Sequence, residues 1–321
     1  MVETHFSEDS ADDLVRVALE ELLARGVKIH PRKGEARELQ GVTLELRNPL
    51  ARLSRTESRG KLFSGLGELC WYLAGSDRSD FISYYLKKYE ESADDGVVPG
   101  AYGPRLVGSS THSGQLSTIT QLLQRHPESR RAVIQLFDAN DLQGDPVEVP
   151  CTCVLQFMVR SGELQMIVYM RSNDIIYGLT HDIFAFTMIQ ELLSRTLDVG
   201  LGSYCHVVGS LHLYEEASDL ATQFLQEGWQ STQDAMPPMP NGDPWSSVKS
   251  LLAAEEAFRL EMDTAPDQAA LDTYWQDLVR LLEIFKFSKA KDSSEIKRIK
   301  VEMQSSVYHP YIDERLRSLG S

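Results

Sequence analysis

The sequence predicts an α+β fold. Stretches with the alternating pattern of strands are mixed with stretches of helical spacing, and they do not follow the regular strand–helix–strand order of a parallel α/β sheet. Two strand-like stretches, Val154–Arg160 and Leu164–Met170, are separated only by a turn at Ser161-Gly162, which predicts an antiparallel hairpin. The chain of 321 residues is long enough for one large domain or two.

Three predicted helices and one strand lie in the first third of the chain. Residues 11–25 carry apolar side chains at helical spacing and end at a glycine. Val42–Leu46 alternates as a strand and leads into an arginine-bearing loop at 47–55. Residues 66–74 and 78–90 predict two further helices.

The rest of the chain continues this irregular mixture. Its predicted elements are a strand at 132–137, a buried helix at 181–196, a strand at 204–211, a helix at 214–227, a loop at 229–245 and two acidic amphipathic helices near 246–263 and 268–286.

Composition and charge indicate a globular protein and argue against a general nucleic-acid binder. Hydrophobic content of 42% and charged content of 25% are ordinary for a globular domain. The formal net charge of −15 argues against a general nucleic-acid binder, because a polyanion requires a basic surface. A few clustered arginines can nevertheless hold one small phosphate.

The cysteines and the apolar runs indicate the compartment. Cys70, Cys151, Cys153 and Cys205 have neither zinc-ribbon spacing nor the pattern of a secreted disulfide framework, which favours reduced thiols. The acidic N-terminus predicts no signal peptide, and the absence of a run of about 18 apolar residues predicts no membrane span. We therefore expect a cytoplasmic protein.

Cys151 is the candidate nucleophile. A lone cysteine is more often a small buried hydrophobic residue, and the spacing of Cys151 and Cys153 alone is poor support for a metal site. A nucleophilic thiolate requires nearby cations, which Arg130, Arg131 and Arg171 could supply.

Other side chains could bind a phosphorylated ligand or move a proton. Arg171 and Ser172 close one strand, and guanidinium groups with a hydroxyl suit a phosphate monoester. His212 and Tyr214, two residues apart on a strand, can face one way. Glu68 lies in an apolar segment, where a carboxylate is costly unless it is paired or functional.

In this order, these motifs resemble the thymidylate synthase family. The matching segments over residues 40–312 are the Glu68 helix, Ala101-Tyr102-Gly103, Arg130-Arg131, Pro150-Cys151, Gln156-Phe157, Arg171-Ser172-Asn173-Asp174, His212-Leu213-Tyr214 and His309-Pro310.

The resemblance implies a fold and a set of partners. It implies one domain over residues 1–321, built on a mixed sheet flanked by helices, with the acidic helices as an insertion at about 229–286. It further implies a homodimer that packs sheet to sheet. The ligands would be a pyrimidine nucleoside monophosphate and 5,10-methylenetetrahydrofolate as co-substrate, without metal or flavin.

The resemblance also implies roles for individual residues. Cys151 would attack C6 of the pyrimidine, with Tyr102 nearby, and Glu68 would manage protons through water. The implied substrate-binding residues are Arg171, Ser172, the partner subunit's Arg130 and Arg131, His212, Tyr214, and an arginine of the 47–55 loop such as Arg52. Asp174 would face the pterin.

Asp182 departs from the thymidylate-forming pattern. The family has Pro-Phe-Asn where this chain has Thr180-His181-Asp182. The asparagine matches the O4 and N3-H edge of uracil, whereas a carboxyl group can accept from N4-H₂ of cytosine and, when protonated, share a hydrogen with N3. Asp182 therefore favours a cytosine nucleotide, although an acid at a helix N-terminus is also favoured by the helix dipole.

The sequence thus predicts a cytidylate or deoxycytidylate 5-hydroxymethylase. Two alternatives stay open: a thymidylate-forming enzyme acting on dUMP, and a non-catalytic homologue that binds nucleotides. Ribose and deoxyribose are not distinguished by the sequence.

Overall fold

A computed structural model describes residues 4–54, 61–108, 114–143, 148–228, 235–262 and 270–320. Eight strands form one mixed sheet in the described part of the chain. They are β1 (His5–Glu8), β2 (Val27–Ile29), β3 (Ala36–Leu46), β4 (Val133–Gln135), β5 (Thr152–Arg160), β6 (Glu163–Met170), β7 (Asn173–Asp174) and β8 (Gly200–Tyr214).

The sheet has the order β1-β3-β8-β6-β5-β4, with β2 paired to β3 and β7 paired to β8. Its β3–β8, β5–β6 and β4–β5 pairs are antiparallel, and its β6–β8 pair is parallel. Strand β8 is longer than the predicted 204–211, because β3 and β6 satisfy its backbone groups from both sides. The predicted mixed sheet is confirmed.

The hairpin between β5 and β6 is also confirmed. Ser161 and Gly162 connect the two strands, and both have positive φ angles of 53° and 81°. Positive φ at both central residues is the geometry of the two-residue turn that matches the twist of paired strands. The turn fixes the register of β6, which delivers Arg171 to the end of the sheet.

The described part of the chain contains eleven α-helices, some of which pack on the sheet while others pack on those helices. They are α1 (Ala11–Arg25), α2 (Leu62–Leu73), α3 (Ser79–Tyr85), α4 (Gly103–Val107), α5 (Gln115–Arg125), α6 (Leu179–Leu197), α7 (Ser218–Gln226), α8 (Trp245–Arg259), α9 (Thr273–Ala290), α10 (Ser293–Glu302) and α11 (His309–Ser318).

Helix α6 joins the sheet to the outer helices. It packs on β6 and β8, and the Gln190 amide donates to the carbonyls of Leu164 and Gly202, 2.9 and 3.0 Å away. Helix α2 packs on α6, and α8 and α9 pack on α2. Every side chain of α2 is buried as a result.

The predicted helix at 78–90 is interrupted. Helix α3 ends at Tyr85 because Leu86 has an extended-like backbone (φ −135°, ψ 88°), and a 3-10 turn follows at Lys87–Glu90. The interruption turns Tyr89 toward α2, where it contacts Glu68.

The predicted acidic helices near 246–263 and 268–286 correspond to α8 and α9. Both bury apolar side chains against α2, including Leu251, Phe258 and Leu278, so they contribute to the core. Residues 229–234 and 263–269 lie outside the described residues. In the described ranges, no helix combines the length and apolarity needed to cross a membrane.

Candidate active site

The loop that carries Cys151 is fastened on both sides. Cys151 precedes β5, and its carbonyl accepts from the backbone N–H of Arg171 at 2.9 Å. The next residue, Thr152, donates its N–H to the hydroxyl of Tyr102 at 3.0 Å. Tyr102, at the start of α4, therefore lies beside the candidate nucleophile. The thiol itself is partly buried.

Charged groups act on the thiol in opposite directions. Burial raises the pKa of Cys151, and the charges of Asp182 and Glu148 act in the same direction. The positive charges of Arg171 and Lys33 act to lower this pKa. Lys33 lies between β2 and β3, and sequence analysis missed it, because only sheet pairing brings that loop to Cys151.

Arg171 holds the same loop through its side chain. Its guanidinium donates to the carbonyls of Pro150 and Val149, both at 2.9 Å. These bonds use two of about five guanidinium N–H groups, and the residue is exposed. Arg171 can therefore organise the Cys151 loop and still offer donors to an anion.

Ser172, His212 and Tyr214 come together at the ends of β6 and β8. The Ser172 hydroxyl lies 3.4 Å from Nδ1 of His212, and the rings of His212 and Tyr214 meet edge to face with 4.9 Å between centroids. Together with Arg171 they form one polar wall.

Strand β7 places Asp174 beside this wall. Asp174 pairs with His212, and its Oδ1 accepts from the N–H groups of Ile176 and Tyr177 at 2.7 and 2.5 Å. Its Oδ2 is buried and has no hydrogen-bond partner among the described residues. One carboxylate oxygen thus shapes the chain before α6, and the other is available to a ligand.

Asp182 lies in the first turn of α6, as predicted. Its Oδ2 accepts a hydrogen bond of 2.7 Å from Nδ2 of Asn173. Burial and the charge of Glu68 raise the pKa of Asp182 to about 7, against the opposing effects of Asn173 and Lys88. The carboxyl can therefore be neutral or ionised near neutral pH.

Glu68 projects from α2 into the same group of side chains. It is 5% exposed, and its Oε1 accepts from the Tyr89 hydroxyl at 2.7 Å. Burial and the charge of Glu68 raise the pKa of Tyr89, so the tyrosine remains a donor. The sequence indicated that Glu68 needs a partner or a function, but Tyr89 was not identified as that partner.

His181 is a further residue that sequence analysis missed. Its Nε2 lies 3.0 Å from the Ser64 hydroxyl and its Nδ1 lies 3.3 Å from the carbonyl of Tyr177. Burial lowers the pKa of His181 to about 4, so the ring is neutral at physiological pH. It links α2 to the start of α6 and thereby supports Asp182.

Arg52 is placed in a buried ion pair. Its Nη2 lies 2.6 Å from Oε2 of Glu191, and both side chains are 0% exposed. Its Nε and Nη1 are buried without a hydrogen-bond partner in the described ranges, and Arg52 lines a small pocket together with Thr180 and His181. A phosphate-binding role for Arg52 stays a prediction. Arg55 lies outside the described residues.

Arg130 and Arg131 are exposed at the start of β4, the edge strand of the sheet. The largest charge effects on the pKa of Cys151 come from Arg171, Asp182, Glu148 and Lys33 of the same chain. Within the described part of the chain, His, Cys, Asp and Glu side chains form no group of three or more that could hold a metal ion.

Comparisons with known proteins identify relatives of this chain. The family model described as thymidylate synthase matches residues 19–239. The deoxyuridylate hydroxymethyltransferase of Bacillus phage SP01 is 29% identical over 223 residues, which cover 65% of this chain and 58% of that protein. The deoxyuridylate hydroxymethyltransferase of Delftia phage PhiW-14 is 28% identical over 210 residues, which cover 61% and 58%. The chain therefore spans less than two thirds of the length of these curated relatives. Because the family model matches more than half of its residues, the chain belongs to the thymidylate synthase family.

Proposed function

We propose that this protein transfers a one-carbon unit from methylenetetrahydrofolate to C5 of a cytosine nucleotide, CMP or dCMP, and releases it as a hydroxymethyl group. The observation that carries the proposal is the proximity of a titratable carboxyl to the thiol. The charge of Asp182 raises the pKa of both Cys151 and Tyr102, so Asp182 lies within electrostatic range of the nucleophile.

Cys151 starts the reaction. Its thiolate adds to C6 of the pyrimidine, which makes C5 nucleophilic and divides one difficult substitution into easier steps. Burial raises the pKa of this thiol and so disfavours the thiolate. Arg171 and Lys33 provide positive charge that favours the thiolate. The negative charge of a bound phosphate would weaken that effect.

Asp182 recognises the base. In its neutral form the carboxyl can donate to N3 of cytosine and accept from N4-H₂, which matches both groups of that edge. A pKa of about 7 makes this form available at neutral pH. A site that satisfies one edge leaves polar groups of the other base unpaired, which is the basis of strong discrimination.

The residues beside Asp182 fit a pterin. The buried and unpartnered Oδ2 of Asp174 is an acceptor that the ring N–H groups of a folate could satisfy. When bound, methylenetetrahydrofolate supplies the one-carbon unit at the oxidation level of formaldehyde. The role of the chain is to orient it and to exclude other acceptors.

Glu68, which is hydrogen-bonded to the Tyr89 hydroxyl, completes the reaction. C5 loses its proton, the nitrogen of the departing tetrahydrofolate gains one, and the base then carries an exocyclic methylene. Glu68 accepts a proton from water, the water oxygen bonds to the methylene carbon, and the electron pair reforms the C5–C6 double bond as the Cys151 thiolate leaves. Nucleotide, methylenetetrahydrofolate and one water give hydroxymethyl nucleotide and tetrahydrofolate, with no redox step.

The remainder of the nucleotide would be held by the polar wall and by a second subunit. Arg171 and Ser172 would bind the 5′-phosphate, and His212 and Tyr214 the sugar. The face of the sheet opposite α6 is partly exposed at Ile167, Tyr169, Cys205 and Val207. We propose that a second copy packs on this face and contributes its exposed Arg130 and Arg131 to the phosphate.

A second candidate substrate is dUMP. Both curated relatives are named deoxyuridylate hydroxymethyltransferases, which supports the hydroxymethyl outcome and favours uracil as the base. This candidate shares the Cys151 and Glu68 chemistry and differs only in how Asp182 pairs.

The test is a substrate panel. CMP, dCMP, UMP and dUMP are each incubated with methylenetetrahydrofolate, and the product is identified by mass. We expect a hydroxymethylated cytosine nucleotide, and we expect Asp182→Asn to shift preference toward uracil. Hydroxymethylation of dUMP alone would support the second candidate. Dihydrofolate formation with dUMP would show thymidylate synthesis, and no product with any nucleotide would favour a non-catalytic homologue.

A further inference from the structure

We propose that Asn173 is a positioning residue that fixes the donor–acceptor polarity of the Asp182 carboxyl and thereby sets base specificity. The inference rests on the proposed function, because it concerns the same site. It applies whether the preferred base is cytosine or uracil.

Asn173 is a buried strand residue whose side chain contacts Asp182. It is 3% exposed, and β7 pairs it with Leu211 of β8. Its Nδ2 donates to Oδ2 of Asp182 at 2.7 Å and also lies 2.8 Å from the sulfur of Met170. Its Oδ1 is buried without a hydrogen-bond partner in the described ranges. The hydrogen bond to Asp182 is therefore the main polar contact of the amide.

This contact distinguishes the two oxygens of the carboxyl. A protonated carboxyl oxygen is a poor acceptor, so the N–H of Asn173 favours the carbonyl form of Oδ2 and leaves the proton on Oδ1. Without Asn173 the proton could occupy either oxygen. One fixed hydrogen bond thus converts a symmetric group into one with a defined donor and a defined acceptor.

Polarity decides which pyrimidine fits. Cytosine presents an acceptor at N3 and a donor at N4, whereas uracil presents a donor at N3 and an acceptor at O4. A neutral carboxyl whose proton can move satisfies both edges equally well. A carboxyl with a fixed proton satisfies one edge and opposes the other, which leaves buried polar groups unpaired.

Asn173 also favours the ionised form of Asp182. Its hydrogen bond lowers the pKa of Asp182, while burial and Glu68 raise it and Lys88 lowers it. The other titratable groups coupled to this carboxyl are Cys151, Tyr72, Tyr89, Tyr102 and Tyr204. Loss of Asn173 should therefore raise the pKa of Asp182.

The test compares Asn173→Ala with the wild type. kcat/KM is measured between pH 5.5 and 9 for the cytosine and uracil nucleotides that carry the sugar selected by the substrate panel, with the exposed Asn140→Ala as matched control. We expect the ratio of kcat/KM for the two bases to fall at least about tenfold toward one in Asn173→Ala. We also expect the pH dependence assigned to Asp182 to move to higher pH, because the hydrogen bond from Asn173 lowers the pKa of Asp182. The control should change neither quantity.

Asn173→Leu, which keeps a similar side-chain volume, serves if the alanine variant does not fold, and the same changes are expected of it. If the wild type discriminates between the bases and the variants keep both the ratio and the pH profile, the role of Asn173 is refuted and the proposed function stands. If the wild type hydroxymethylates none of CMP, dCMP, UMP and dUMP, the proposed function itself fails.

Discussion

The buried ion pair between Arg52 and Glu191 provides a stringent test of the structure. Oε2 of Glu191 accepts from Arg52 at 2.6 Å, and its Oε1 accepts from the backbone N–H of Met239 at 2.7 Å, with Arg195 3.6 Å away. This carboxylate joins the segment before α2, helix α6 and the segment before α8. Glu191→Gln would keep an acceptor for Met239 and remove the charge.

The expected cost follows from burial. Removing one partner of a buried pair costs about 3–5 kcal/mol, because the other charge stays buried without compensation. An unfolding entropy of about 2.1 cal/mol/K per residue gives roughly 0.7 kcal/mol/K for a chain of 321 residues, so Tm should fall by about 4–7 °C.

Thermal and urea unfolding of Glu191→Gln would measure this loss. Glu302→Gln is the matched control, because Glu302 makes an exposed ion pair with Arg298 at 2.7 Å. The control should change the free energy of unfolding by no more than about 0.5 kcal/mol. A loss below about 1 kcal/mol in Glu191→Gln would refute the structural role of the pair and strengthen the case for Arg52 as a phosphate ligand.

Three further predictions concern the candidate site. The pKa of Asp182 is raised to about 7, so ionisation of this carboxyl destabilises the folded chain as pH rises from about 4 through 7. Asp182→Asn should therefore raise Tm more at pH 8.5 than at pH 5. Equal gains in Tm at both pH values would contradict the pKa shift. Cys151→Ser should lower turnover by about 10³-fold or more and retain nucleotide binding by calorimetry; turnover within tenfold of the wild type would exclude the thiol as nucleophile. Tyr89→Phe should lower kcat about tenfold with KM within about threefold, because Glu68 loses its hydrogen-bond donor; steady-state kinetics with unchanged kcat would remove Tyr89 from the mechanism.

Local sequence patterns predicted much of the fold. Residues 11–25 form α1, whose N-cap Ser10 accepts from the N–H of Asp13, and the turn at Ser161-Gly162 gave the hairpin. Strands β1, β2 and β7 and helices α4, α5, α10 and α11 were not predicted. The short strands are defined by pairing with β3 or β8, which no local pattern encodes.

In the candidate site, too, some residues could be predicted from the sequence and others depended on contacts that only the fold creates. Glu68 could be singled out because a carboxylate is unusual in an apolar segment, whereas Cys151 and Asp182 gained their significance from the resemblance to the thymidylate synthase family. Lys33 acts through a contact between distant elements. Asn173 belongs to the Arg171-Ser172-Asn173-Asp174 motif, but the motif does not show that its amide bonds to Asp182. The burial argument for Glu68 required a partner, but only the break after α3 shows why Tyr89 is that partner.

Covalent trapping tests the central claim most directly. A 5-fluoro nucleotide retains fluorine where the reaction must remove a proton from C5, so the adduct with the enzyme and methylenetetrahydrofolate persists and can be located by peptide mass. The account predicts that 5-fluoro-CMP or 5-fluoro-dCMP labels Cys151, and that Asp182→Asn transfers labelling to the 5-fluorouracil nucleotide with the same sugar. Labelling at another residue, or preferential labelling of the wild type by a 5-fluorouracil nucleotide, would contradict it.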